Sequence, residues 1–391
     1  MQQLKMKPKS VTLIDGVRAL KDRVLAASSQ IEKDYGLPDD LIAGLRDIGL
    51  FRATWPKSLG GSELDLLELL YALEELSSYD GSVGWVGTFA AVGGLTAAHL
   101  SPEAIAELYP SVDSVSAGQY APVGKAERVD GGYIVNGRWS FGSGCLHSDV
   151  MTGGVIVTSN GEPVRNADGK VDARSVVMTI DKVELMQGSW RTTGMRGTGS
   201  LDYAVRDVFV PESHTFDYFA EARFDGPLYA SPLLFLCAHL PMPLGIARAA
   251  IDSTSDLAQT KRYPPSTRLL RDDEFAQTKI AEAEAMLGSV RAWVYEVVGD
   301  IWDSLRRGQD LTSRQKAMFR LCLVHTTRVA HDIVLMLYDV AGSSAIKQES
   351  QMDRLLRDIM TVSQHRVVSS RMYRPAGKVL LGLKVENDPF F

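Results

Sequence analysis

The sequence predicts an α+β protein in three parts: an N-terminal α-helical domain (residues 1–111), a central β domain (112–215) and a C-terminal helical bundle domain (216–391). Three observations carry this. Apolar residues recur at helical spacing at both ends of the chain. Between them lie short alternating runs punctuated by glycine-containing turns, the pattern of a β-barrel or β-sandwich. The last part also holds two helical runs so long that a four-helix bundle is the natural way to bury them.

Each element has its own signal. In GLPDDLIAGLRDIGLF, Asp39 or Asp40 opens a helix and Gly49 stops it. GSELDLLELLYALEEL opens with Ser62 and Asp65, a variant of the capping box. Ser101 caps SPEAIAEL, with Pro102 at the first helical position. VDGGYIVNGRWSF holds two turn signals, Asp130-Gly131 and Asn136-Gly137, on either side of a short strand. VMTGGVIVT, SVVMTI and LDYAVRDVFVP are further strands, and SNGEPVRNADGKVDAR is an exposed hairpin loop. A long helix is expected from Asp272. A second begins in TSRQKAMF and ends near Gly342. The second is apolar around much of its circumference, which predicts burial on several sides, by the bundle or by another subunit.

Composition narrows the function. The formal net charge of -6 implies no general basic patch, which argues against nucleic acid as a partner. Cys145, Cys237 and Cys322 are widely spaced and odd in number, so no disulfide framework is expected, and a reducing, cytoplasmic setting fits. The start, MQQLKMKPKSVTL, is basic but has no apolar run after it, unlike a secretory signal. The most apolar stretch, SPLLFLCAHLPMPLGIA (231–247), is broken by prolines and a histidine, so no membrane partner is expected. No histidine–carboxylate constellation points to a metal.

Four motifs then stand in order along the chain: LRDIGLFRATWPKSLGGSELDLLELLYALEELSSYDGSVGWV, GGYIVNGRWSFGSG, WRTTGMRGTGSLDYAVRDVFVP and AGSSAIKQESQMDRLLRDI. Together they resemble the acyl-CoA dehydrogenase superfamily over nearly the whole chain. That superfamily has two chemical branches. The dehydrogenases need a glutamate base to remove an α-proton. One position for it follows the RD of the last long helix, where this chain reads RDIMTVSQHRVV and carries His365. The other precedes PLG, where SPLLFLCAHLPMPLG has no acid. The second branch comprises the class D two-component flavin-dependent monooxygenases, which include 4-hydroxyphenylacetate hydroxylase and dibenzothiophene monooxygenase. SGC at 143–145 resembles its ASG signature, and GMRGTGS resembles its GLRGTGS. Asp358, His365, Tyr373, Gly377 and Gly382 follow its C-terminal pattern, with Lys378 where that pattern commonly has arginine.

The resemblance implies an oxygenase component that uses reduced flavin (FADH2 or FMNH2) and O2, through a flavin C4a-hydroperoxide, on an aromatic or heteroaromatic small molecule. It also implies a separate NAD(P)H-dependent flavin reductase and a homotetramer. Ser143 would contact flavin N5, and His365 would act on the substrate side, its ordinary pKa suiting a hydrogen-bonding or proton-accepting role. Phe141, Trp190, Arg196, Thr198, Ser200, Arg262, Gly342, Ser343 and Ser344 are the other flavin candidates. Gly93, Gln119, Cys145, His239 and Tyr373 are the candidates for the substrate pocket. Phenol hydroxylases of this branch have a histidine near the position of Gly93. Its loss implies a bulkier or less acidic substrate, such as an indole or a polycycle. Arg354, Arg357 and Asp358, at helical spacing, are expected to form a salt-bridge network. Two other readings are an acyl-CoA dehydrogenase-like oxidoreductase acting on CH–CH groups and a flavin-free binding subunit.

Overall fold

The computed structural model describes residues 8–165, 169–262, 265–386, 388 and 390, and leaves the side chains of 8–12 undescribed. The basic start and the centre of the 159–174 loop therefore lie outside the described residues.

Seven helices form the N-terminal part: α1 (Pro8–Ala19), α2 (Lys21–Asp34), α3 (Asp39–Asp47), α4 (Leu66–Tyr79), α5 (Gly81–Ala91), α6 (Gly93–Ala97) and α7 (Pro102–Leu108). Leu41, Leu45, Phe51, Leu73 and Leu76 make their core. Gly49 ends the α3 segment at a φ of +77°, where a side chain would be strained. Asp65 alone caps α4, accepting the Leu67 N–H at 3.1 Å, so Ser62 is not a capping residue. Asp80 caps α5 through the N–H groups of Ser82 and Val83.

Eight strands follow: β1 (Ser116–Val129), β2 (Gly132–Gly142), β3 (Val150–Ser159), β4 (Glu162–Pro163), β5 (Ala173–Thr179), β6 (Glu184–Met186), β7 (Leu201–Pro211) and β8 (Thr215–Phe216). They pair as one mixed sheet in the order β6-β7-β2-β1-β3-β5-β8, with β4 beside β3. The sheet path has two ends, and its β1–β3 pairing is parallel. Asp130-Gly131 turns the chain between β1 and β2, as expected. Asn136-Gly137 does not turn it; the pair sits inside β2 at a shift of register against β7. Asn136 is held there by two hydrogen bonds with Asp207. Gly137 leaves room for the Trp139 indole, which a Cβ would approach to 2.4 Å.

The C-terminal part is α8 (Pro241–Ala258), α9 (Glu274–Arg306), α10 (Ser313–Ala341), α11 (Gln351–Val362) and the short α12 (Tyr373–Leu380). The first four make the bundle, and α10 touches each of the others. Asp273 caps α9, one residue beyond the predicted start. Thr312 and Gln315 form a reciprocal capping box on α10. Pro232–Ala258 has the length and hydropathy of a membrane span, yet its apolar window is 89% buried inside the molecule, as the core of the bundle. Two close approaches set the stage for the site. Gly84 of α5 and Gly245 of α8 both lie against Ser77 of α4, where a Cβ would come within 2.3 and 2.5 Å. This brings the start of α8 against α5.

Candidate active site

Ser143 lies in a turn at the end of β2, between Gly142 and Gly144. Gly144 takes a φ of +79° and donates its N–H to the carbonyl of Thr198, tying this turn to the 194–200 loop. Four side chains then form one hydrogen-bonded line. Trp85 Nε1 donates to Ser143 Oγ at 3.1 Å, Ser143 Oγ lies 2.7 Å from Ser200 Oγ, and Ser200 Oγ lies 2.7 Å from Thr198 Oγ1. Thr198 in turn donates to the Met195 carbonyl at 2.8 Å. Each hydroxyl has one proton. Since Thr198 gives its proton to a carbonyl, Ser200 donates to Thr198 and Ser143 donates to Ser200. Ser143 is thereby left with a lone pair and no free proton. It is an acceptor by construction.

This suits a reduced flavin, whose N5 carries a hydrogen. The neighbourhood fits the ring as well. Phe141, at a φ of +67°, keeps 62% of its surface exposed beside Ser143. Trp190 stands edge-on to it at 6.2 Å, with its Nε1 bonded to the carbonyls of Met195 and Arg196. An uncovered aromatic face next to an acceptor hydroxyl is what a flat, N–H-bearing ring needs.

On the other side of Trp85 stand two histidines. The His365 and His239 rings are 4.7 Å apart, at 5.8 and 5.7 Å from the indole. His365 Nδ1 accepts the Val367 N–H at 3.3 Å, so the proton of the neutral ring is on Nε2. His239 Nδ1 lies 3.1 Å from the Leu236 carbonyl and must donate to it, leaving Nε2 an acceptor. Burial lowers His365 to about 4. Burial, with the positive field of its neighbours, holds His239 well below the ordinary histidine range. Both rings are neutral at pH 7, one offering an N–H and the other a lone pair. The ordinary histidine pKa from which the sequence reading started is thus lowered here, because desolvation disfavours the imidazolium.

Aromatic rings continue the wall. Phe89 packs on Trp85 and His239, Phe235 on Phe89, and Tyr120 and Tyr218 on Phe235. Phe89, Tyr120, Phe235 and His365 each keep part of their surface exposed, so this wall borders open space. Sequence reasoning missed Trp85 and Phe89, although their four-residue spacing on one helix was a legible signal. Phe235 and Tyr218 carried none.

Asp358 joins the two sides. It is fully buried on α11 and accepts the Met195 N–H at 2.5 Å, which fastens the 194–200 loop to the helix leading to His365. Burial, then the nearby charge of Asp80, raises it to about 7. The expected salt-bridge network holds for Arg357, which pairs with Asp353 and Glu32 and donates to the Thr193 carbonyl. Among the described residues Asp358 forms no ion pair, and it is corrected to a backbone acceptor.

The remaining predicted residues are scattered more widely. Gly93 is buried at the start of α6, and a Cβ there would meet only Ser116, at 3.4 Å. Gln119, on β1 next to Tyr120, gives its backbone N–H to the Tyr203 hydroxyl. Cys145 is buried against the Gly199 carbonyl, and burial pushes its thiol up to about 11. Arg196 turns away from Ser143 toward α2, where it faces Glu32 and lies over Tyr35. Tyr373 is partly exposed at the start of α12. Arg262 lies beyond the far end of α8, where Lys261 reaches the Ala341 carbonyl beside the Gly342–Ser344 turn. The 18 residues of α8 put that region about 27 Å from His239. A single chain therefore does not unite Arg262, Gly342, Ser343 and Ser344 with Ser143.

Comparison with known proteins gives a consistent picture. Residues 8–110 match the family model "Acyl-CoA dehydrogenase, N-terminal domain", and residues 237–370 match "Acyl-CoA dehydrogenase, C-terminal domain". The chain is 32% identical to an indole-3-acetate monooxygenase of Pseudomonas putida, over 96% of this chain and 94% of that protein. It is 28% identical to the oxygenase subunit HsaA of a flavin-dependent monooxygenase of Mycobacterium tuberculosis, over 82% of this chain and 83% of that one. The crystal structure of 3-HSA hydroxylase from Rhodococcus sp. RHA1 superposes with a TM-score of 0.89 at 26% identity, covering 97% of this chain and 99% of that one.

Proposed function

This chain belongs to the acyl-CoA dehydrogenase family, in its flavin-dependent monooxygenase branch, and from that premise we propose that it is an oxygenase component acting on an aromatic or heteroaromatic small molecule. Bound reduced flavin supplies the electrons that activate O2. The protein's part is to bind, orient and manage protons. Ser143, its proton committed to Ser200, would hold the flavin by accepting its N–H. His365 offers an Nε2–H at the aromatic wall, to an oxygen or to the substrate. His239 offers the matching lone pair, which can receive a substrate N–H or O–H. The surrounding rings exclude water and stack on a flat substrate.

The observation that carries this reading is the neutral His365, where a dehydrogenase needs a carboxylate base. The carboxylate of the same stretch, Asp358, is sealed in protein and spends its oxygen on Met195. The relatives named oxygenase subunit or component support a separate flavin reductase as partner. The length of α8, which separates Arg262 from the His239 end of the site, is what a flavin site completed between subunits would require, as in a homotetramer.

The test is direct. The chain, mixed anaerobically with chemically reduced FMN or FAD and then with 18O2 and 3-methylindole, should yield product carrying one 18O atom. Tight binding of oxidised flavin, bleached by an acyl-CoA thioester, would point instead to dehydrogenation and overturn the proposal.

A further inference from the structure

Arg320 lies in the middle of α10, inside the bundle, with a side chain only 5% exposed. Its Nη2 is 3.3 Å from Asp388 Oδ2 and 3.7 Å from Met372 Sδ, and its guanidinium lies 5.3 Å from the Phe390 ring. Its Nε has no hydrogen-bond partner among the described residues. A buried guanidinium is ordinarily satisfied by a bidentate carboxylate. Here the carboxylate makes one long contact and comes from the segment after α12, outside the bundle. Arg320 is thus buried, charged and under-satisfied.

Its position relative to the site gives this meaning. Its helix, α10, packs against the 232–239 turn that carries His239 and against the 366–368 turn that follows His365. Phe390 stands edge-on to Phe219 at 5.2 Å, Phe219 on Tyr218, and Tyr218 on Phe235 of the aromatic wall. Asp388 and Phe390 therefore set a carboxylate on the buried arginine and a ring at the outer end of the row that runs through Phe219 and Tyr218 to Phe235.

We propose that Arg320 recognises the carboxylate of an aromatic acid substrate, an aryl- or indolyl-alkanoic acid, and that Asp388 and Phe390 occupy that place when no substrate is bound. This rests on the aromatic-substrate reading above and specifies it. An incoming carboxylate displaces Asp388 and engages both Nε and Nη2, while its ring replaces Phe390 against the wall. Asp388 thereby acts as an internal competitor, and Arg320 as a positioning and specificity residue.

Binding measurements on the full chain loaded anaerobically with reduced flavin test this without relying on turnover. Calorimetry compares indole-3-acetate with neutral 3-methylindole. The acid should bind the unaltered chain at least tenfold more tightly. Arg320→Met should abolish that preference while leaving 3-methylindole binding intact, which also shows that the variant is folded. Arg320→Lys should keep part of it, since lysine supplies charge without the bidentate fork. Asp388→Asn should tighten the acid severalfold and the neutral ligand by less, since either ring displaces Phe390 but only the acid competes with the Asp388 carboxylate for Arg320. Binding of both ligands without preference would overturn the Arg320 assignment alone. The same holds for a preference that survives Arg320→Met. Failure of both indoles to bind would overturn the aromatic reading and this assignment with it.

Discussion

At the scale of single residues, two buried ionisable groups pull stability in opposite directions with pH. His365 is lowered to about 4 from 6.5, so between those values the unfolded chain binds the proton that the fold refuses. Its contribution is full above about 6.5 and is lost as the pH falls toward 4. Asp358 is raised to about 7 from 3.8, so the fold keeps a proton that the unfolded chain releases. Its contribution is full below about 3.8 and is lost as the pH rises through 7. Asp358→Asn removes the second effect and preserves the acceptor for Met195. Urea unfolding should then show stability rising more steeply from pH 4 to 7 than in the unaltered chain; an identical slope would mean that Asp358 is ionised throughout. Asp358→Ala leaves the Met195 N–H unpaired and should cost about 1–3 kcal/mol. The hydroxyl line makes a separate prediction. Ser200→Ala frees the Ser143 proton, and reduced flavin should bind about tenfold more weakly in anaerobic titrations, a loss of about 1.4 kcal/mol. Unchanged affinity would show that the direction of that line does not matter. Ser143 and His365 were legible in the sequence because each sits in a contiguous motif. His239 and Asp358 were also named from the sequence, but their contacts with the His365 ring and the Met195 N–H, and the part played by Trp85, come from elements far apart in the chain.

At the scale of elements, the 194–200 loop is the part that holds the Ser143 side and the His365 side together. It passes so close to α11 that a Cβ on Gly194 would lie 2.0 Å from the Arg357 carbonyl. Gly194→Ala should therefore lift the loop off α11, break the Met195–Asp358 bond and cost about 2–4 kcal/mol in denaturant unfolding. Gly377 is a useful contrast. It belongs to the C-terminal pattern read in the sequence, yet a Cβ there meets nothing within 4 Å and its helix is regular. Gly377→Ala should leave stability unchanged or raise it by up to about 1 kcal/mol. A large loss of stability would show that Gly377 is packed against something. The pair separates a glycine needed for close approach from one that is not, a distinction that the letter G cannot carry. The same holds for Asn136-Gly137, a turn signal by composition that Asp207 and Trp139 convert into a bulge inside β2.

At the scale of the whole molecule, the outer face of the bundle is incomplete. Leu335 and Met360 are exposed large apolar side chains, with His331 Nε2 lying 3.1 Å from Met360 Sδ between them, and Tyr373 is exposed on the neighbouring α12. Such a patch is the kind of surface that a symmetric oligomer covers. Light scattering should give a mass that is a multiple of 42.8 kDa, four chains in the proposed assembly. Leu335→Asp should shift it downward and weaken flavin binding in parallel; a chain that is monomeric at working concentration and binds flavin fully would exclude a site shared between subunits. The sequence by itself determined the three-part architecture and the helix caps at Ser101 and near Asp273, because periodicity and capping chemistry are local properties of the chain; the lack of an acid at the dehydrogenase base positions was legible through the resemblance to that superfamily. Only the tertiary structure decided the protonation of the histidine pair, the direction of the Ser143 hydroxyl line and the buried setting of Arg320. Each of these depends on desolvation and on partners drawn from helices and strands far apart in the chain, and burial is set by packing rather than by the residue that is buried.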